Sequence, residues 1–166
     1  MAVKKTIAIV GAAEKTGTEI ARKLATGNYR LLLLSNNITQ LNGLSELIKT
    51  TTPDTEIEMI DCVKDGCWEA DIIILAIEHR EQKDIAERIK EVATQKIVAC
   101  VTDENDTNFI GREMQQLLPY SKVVEVFTEQ GSIDMLVTGE DAEAVEDIAT
   151  MFGKAGYLPI IKASVQ

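Results

Sequence analysis

Apolar and polar positions divide this chain into short, wholly apolar runs separated by longer stretches with helical spacing. Ile7-Ala8-Ile9-Val10 is the first run, and behind it Ile20, Ala21, Leu24 and Ala25 fall on one helical face. Gly27-Asn28 is a stop signal. Leu31–Leu34 follows as an unbroken apolar strand, and Ser35-Asn36-Asn37 ends it. That triplet can cap a helix carrying Ile38, Leu41, Leu44 and Ile48, which Pro53 breaks. Glu56–Ile60 alternates like a strand, and a reduced crossover over Val63–Ala70 leads into Asp71–Ile77.

The second half repeats the alternation. His79–Val92 reads as a helix with Ile85, Ile89 and Val92 inward, Lys96–Val101 as a strand, and Asn108–Leu118 as a helix closed by Pro119. Lys122–Phe127 and Ile133–Thr138 are strands. A helix with Ala142, Val145, Ile148, Ala149 and Phe152 inward then ends at Gly153 and Gly156, before a last strand at Tyr157–Ile161.

Unbroken apolar runs suit parallel strands buried on both faces. The pattern therefore predicts an α/β fold: a doubly wound, mostly parallel sheet of about eight strands with helices on both faces. Right-handed crossovers favour the strand order 3-2-1-4-5-6, with the last two strands beyond the sixth. A ligand on such a sheet sits past the carboxyl ends of the strands, where the order reverses between the first and fourth. A flavodoxin-like or receiver sheet explains the alternation equally well. It accounts less well for the loop after the first strand.

That loop runs from Gly11 to Gly17, between a buried strand and a helix N-terminus. The first amides of a helix lack internal partners, and the aligned peptide dipoles leave about half a positive charge there. The arrangement suits a pyrophosphate. As G-x-G-x-x-G the loop fails, because Ala13 and Thr16 stand at the second and third glycines. As G-x-x-G-x-x-G it fits better, with Gly11 making the turn and Gly17 packing helix on strand. Glu14 then replaces the middle glycine, and Lys15 is the nearest offsetting cation. Read without a ligand, the same two glycines are turn and packing residues.

The length of 166 residues suits a single domain over 1–166. No apolar span of membrane length occurs, and the start MAVKK lacks a signal-peptide core, so a cytoplasmic protein is expected. Acidic residues outnumber basic ones by 27 to 17, for a net charge of −10. That balance argues against nucleic acid or anionic membrane as partners. Cys62, Cys67 and Cys100 form no C-x-x-C pair and read as reduced thiols, with Cys100 inside a strand as a core residue. With His79 the only histidine, no metal site is expected. Asp103, Glu104 and Asp106 form either an oxygen-rich cation site or an acidic surface loop. His79 lies just past the fourth strand, as a solvated loop histidine or as a catalytic candidate. No tyrosine has a lysine four residues on, which excludes the short-chain dehydrogenase Tyr/Lys pair.

Over nearly its whole length the chain resembles the NADP-binding domains of the deazaflavin-dependent NADP oxidoreductases. These are relatives of pyrroline-5-carboxylate reductase and of the nucleotide domain of Steap metalloreductases. The likeness runs through IAIVGAAEKTGTEIARKLA, EADIIILAI, KIVACVT, LLPYSKVVEVF and DMLVTGEDAEAVEDIATMFGKAGYLPI. It implies a Rossmann domain and a hydride passed between NADP or NAD, with NADP favoured, and a flavin-like or small-molecule acceptor. Direct hydride transfer needs no acid, base or nucleophile; proximity and orientation supply the catalysis. The cofactor-binding positions implied are Gly11, Ala13, Lys15, Thr16 and Gly17 in the loop, and Ser35, Asn36 and Asn37 after the second strand. Ala76, Ile77 and Thr102 follow after the fourth and fifth strands.

Several positions depart from the family pattern. Glu14 replaces a glycine, Asn36 an arginine and Glu78 a proline. Thr102-Asp103-Glu104 stands for Thr-Asn-Pro, and Phe127-Thr128-Glu129 for Phe-Asn-Thr. These changes place acid around a site for an anionic cofactor, so a non-catalytic nucleotide-binding or interaction module is the alternative. The family's helical second domain is not in this sequence. An uncovered cleft exposes apolar surface, so a homodimer is expected, through late-chain elements.

Overall fold

The computed structural model describes residues 4–103, 111–129 and 131–162. The elements in chain order are β1 (Lys5–Val10), α1 (Lys15–Leu24), β2 (Tyr29–Leu34), α2 (Ile38–Thr51), β3 (Glu56–Met59), α3 (Val63–Glu69) and β4 (Ile72–Leu75). They continue as α4 (His79–Ile89), β5 (Ile97–Asp103), α5 (Gly111–Leu117), β6 (Lys122–Thr128), β7 (Asp134–Gly139), α6 (Ala142–Lys154) and β8 (Leu158–Ile161).

The strands form one eight-stranded sheet in the order β3-β2-β1-β4-β5-β6-β7-β8. All neighbours are parallel except β6 and β7, which pair antiparallel with no helix among the described residues between them. The order reverses between β1 and β4, where Ile7 pairs with Leu31 on one side and Ile72 on the other. The sheet is the doubly wound α/β sheet that the apolar runs predict. Ile7–Val10, Leu31–Leu34 and Ile72–Leu75 are buried along their whole length, as strands covered on both faces must be.

Alternate side chains feed two cores. Ile7, Ile9, Leu31, Leu33, Ile72 and Ile74 pack under α1, α2 and α6, whereas Ala8, Val10, Leu32, Leu34, Ile73 and Leu75 pack under α3, α4 and α5. Local chemistry delimits the helices. Asn37 Oδ1 accepts the Gln40 N–H at 3.1 Å to cap α2, and Asp141 Oδ1 accepts the Ala144 N–H at 2.9 Å to cap α6. At the other end of α6, Gly156 adopts φ +105°. The N–H groups of Gly156 and Tyr157 return to the carbonyls of Gly153 and Phe152, a Schellman closure. The Tyr157 ring meets Phe152 edge-on, with centroids 5.5 Å apart.

The helices add detail to these expectations. The connection between β3 and β4 is a two-turn helix, α3, because Val63, Gly66 and Cys67 share a buried face. The inward face of α4 is Gln82, Ala86 and Ile89. Ile85 and Val92 are partly buried and pack against the same core, as expected, but α4 ends at Ile89, three residues before Val92. Within the described residues the fifth helix begins at Gly111; the stretch from Asn108, like Glu104 and Asp106 of the acidic cluster, lies outside them.

Candidate functional site

The candidate site begins with two interlocked glycines. Gly11 ends β1 at φ +88°, a conformation that L side chains rarely adopt. A Cβ there would strike the Ala76 carbonyl oxygen and come within 2.6 Å of Ile77 Cγ2. A Cβ on Gly17 would strike the Gly11 carbonyl oxygen. Gly11 therefore lets the end of β4 approach, and Gly17 lets α1 seat directly on the turn.

Backbone hydrogen bonds hold this turn rigid. The N–H groups of Gly11 and Ala12 both donate to the Leu34 carbonyl at the end of β2, at 2.9 and 3.0 Å. The Glu14 N–H donates to Gly11 O at 3.0 Å, and Thr18 Oγ1 donates to Ala12 O at 2.7 Å. The first internal bond of α1 runs from the Thr18 N–H to Glu14 O at 2.7 Å. Helix geometry thus leaves the amides of Lys15, Thr16 and Gly17 directed out of the helix, with its positive dipole end behind them.

Glu14 occupies the cap position of α1 with an exposed side chain that makes no capping hydrogen bond. Lys15 is exposed too, and among the described residues it pairs with no carboxylate. Glu78 holds the same place on α4, exposed and without a side-chain cap. Both helices whose N-termini face the crevice thus start with an uncommitted glutamate.

The other predicted positions lie along the same edge of the sheet. Ser35 Oγ accepts the Asn37 N–H at 3.1 Å, Asn37 caps α2, and Asn36 is exposed. This loop ends β2 beside the glycine turn. Ala76 is buried and its N–H donates to Val10 O at 2.9 Å, which prolongs the β1–β4 pairing into the loops. Thr102 is buried at the end of β5, and its hydroxyl lies 3.2 Å from His79 Nε2. His79 is thus half-buried and tied to the sheet rather than a solvated loop residue.

Gln82 was missed by the pattern. Fully buried one turn after His79, its Nε2 lies 3.2, 3.0 and 3.0 Å from the carbonyls of Leu75, Ile77 and Val101. It staples the ends of β4 and β5 together. Its Oε1 is buried with no hydrogen-bond partner. The available signal was a polar residue four positions before Ala86 and seven before Ile89, on the apolar face of the helix.

Two of the three cysteines are core residues. Cys67 and Cys100 are buried, and burial pushes both thiols up, Cys67 to about 12.

The architecture is that of the Rossmann-type sheets, with the crevice at the β1/β4 reversal. The sequence matches no protein-family model and no curated protein. Solved structures share the fold at low identity. An imine reductase variant from Myxococcus stipitatus in complex with NAD+ superposes with a TM-score of 0.80 at 14% identity, over 97% of this chain and 55% of its own. A diketoreductase gives 0.78 at 16%, over 100% and 66%. A pyrroline-5-carboxylate reductase from Coxiella burnetii gives 0.74 at 16%, over 98% and 60%. The chain thus spans between about half and two thirds of the length of these proteins. No described helix is long and apolar enough to cross a membrane.

Proposed function

We propose that the chain binds a nicotinamide dinucleotide across the carboxyl ends of β1 and β4, and acts as an oxidoreductase. The observation that carries this reading is the Gly11–Gly17 interlock, which seats the free amides of α1 at the reversal of strand order. The residues present fit such a group. Lys15, Thr16 and Gly17 would hold the pyrophosphate, Ser35 and Asn36 the ribose end, and Ala76, Ile77 and Thr102 would lie along the remainder. When bound, the nicotinamide supplies or takes up a hydride; the chain's part is orientation. Thr102, fixed by His79, and the strand ends stapled by Gln82 form the rigid wall this requires. The acceptor is a small or flavin-like molecule, and the fold neighbour bound to NAD+ supports the cofactor class.

The glutamates favour a second reading, a non-catalytic nucleotide-binding or interaction module. Glu14 and Glu78 occupy the cap positions of the two helices that face the crevice, and neither is neutralised by an ion pair among the described residues. Fluorescence titration with NADH and NADPH separates the two. Unit charges 4 Å apart interact by about 1 to 4 kcal/mol depending on screening. Glu14→Gly is therefore expected to tighten binding roughly ten-fold, and Lys15→Ala to weaken it. If neither wild type nor Glu14→Gly binds at millimolar cofactor, the oxidoreductase reading falls.

A further inference from the structure

The outer surface of the α1–α2–α6 layer carries a groove of about 1020 Å³. It starts at the glycine turn, where Ala13 and Lys15 line it, and runs between α1 and α2, with Ala155 after α6 on one side. Lys15, Arg22 and Lys23 line it from α1, with Glu19 among them, and Leu44 and Leu47 line it from α2. In a chain of net charge −10 this concentration of cations is a local inversion. Among the described residues neither Lys15 nor Arg22 makes an ion pair or a side-chain hydrogen bond; Lys23 lies over the Tyr157 ring, 5.2 Å from its centroid.

A second observation points outward from the same place. Gly43 stands in the interior of α2 and lines the groove. A Cβ there would meet nothing within 4 Å. Glycine in a helix interior costs roughly 0.5–1 kcal/mol relative to alanine, and no contact inside this molecule requires it. The missing Cβ leaves this part of the groove wall open to close approach from outside.

The complementary charge is on the same layer. The outward side of α6 carries Glu143, Glu146 and Asp147, all exposed and without ion pairs among the described residues. A cationic groove beside an acidic helix on one face is self-complementary under a twofold axis, because each half then meets its opposite on the partner. We propose that the occupant of the groove is a second copy of this chain. The acidic side of α6 from one protomer lies over Arg22 and Lys23 of the other, Gly43 admits the close approach, and half-exposed Leu47 supplies apolar contact.

Sedimentation equilibrium tests this with charge reversals that leave Lys15 and the glycine turn intact. Wild type is expected to dimerise at micromolar concentration in about 0.05 M salt and to dissociate more readily at about 0.5 M. Arg22→Glu/Lys23→Glu and Glu146→Lys/Asp147→Lys should each weaken the dimer about ten-fold or more. Mixing the two variants should restore association, since both contacts of the heterodimer then pair opposite charges. Gly43→Leu should melt no lower than wild type yet fail to dimerise, which separates the groove from the fold. Wild type that stays monomeric up to about 0.1 mM, or a dimer indifferent to both reversals and to Gly43→Leu, overturns the proposal.

Discussion

The two sides of the crevice are built by different means. On the β1 side the wall is backbone: Gly11, Ala12 and Glu14 donate N–H groups within the turn and to Leu34, and two missing Cβ atoms set the spacing. On the β4–β5 side the wall is side chain: Gln82 gathers three carbonyls from the ends of β4 and β5 and the loop after β4, and His79 meets Thr102. Backbone construction tolerates no added atom but makes little demand on neighbouring side chains. Side-chain construction tolerates changes of shape but depends on each polar group finding its partner. The difference predicts how each side fails.

The largest expected effect is on the backbone side. Gly17→Ala drives a methyl group into the Gly11 carbonyl, so α1 must lift from the turn. A loss of about 3 kcal/mol or more is expected, read as a lower denaturation midpoint, with dinucleotide binding abolished even where the protein stays folded. A variant with wild-type stability and binding would show that the two glycines do not interlock. Gln82→Met makes the corresponding break on the other side. The buried carbonyls of Leu75, Ile77 and Val101 lose their shared donor, and the cost should be about 2–3 kcal/mol. Hydrogen exchange should speed up at the ends of β4 and β5 while the glycine turn stays protected; uniform acceleration would mean the two sides are one cooperative unit.

His79→Ala is a milder break. It removes the hydroxyl contact of Thr102 and should cost about 1 kcal/mol, with cofactor affinity changed less than by Glu14→Gly. A collapse of turnover with unchanged affinity would instead make His79 a catalytic residue.

The smallest effect is expected at Glu125, one strand further along, and it depends on pH. Burial raises the Glu125 carboxyl above its ordinary value, partly offset by the Gly111 N–H that donates to it. Between the unfolded and the raised folded value the native protein holds the extra proton, so stability falls as pH rises through that window. Above it the full loss is present. Glu125→Gln should remove this loss, raise the melting temperature at neutral pH and flatten the profile just above the usual carboxylate range. An unchanged slope would show that Glu125 titrates normally.

The contrast between the two walls is also the contrast between what could and could not be read from the residues in order. Gly11 and Gly17 stand six positions apart in one turn, and the interlock they form is local, so their spacing alone announced it. The apolar runs at Ile7–Val10, Leu31–Leu34 and Ile72–Leu75 specified buried parallel strands for the same reason: burial on both faces leaves no polar position. Crossover handedness then ordered the sheet without reference to any contact.

Tertiary structure alone decided the other wall. His79 and Thr102 are 23 residues apart, and Gln82 and Val101 are 19, so neither pairing leaves a periodic trace. A glutamine on the apolar face of α4 reads as an interruption until β4 and β5 bring three carbonyls beside it. The groove beyond α1 is of the same kind. Arg22, Gly43 and Glu146 are ordinary residues on three separate helices, and only the packing of those helices on one face of the sheet makes them a charged, open surface. Local backbone geometry is encoded in neighbouring residues; long-range polar pairing exists only once the chain has closed.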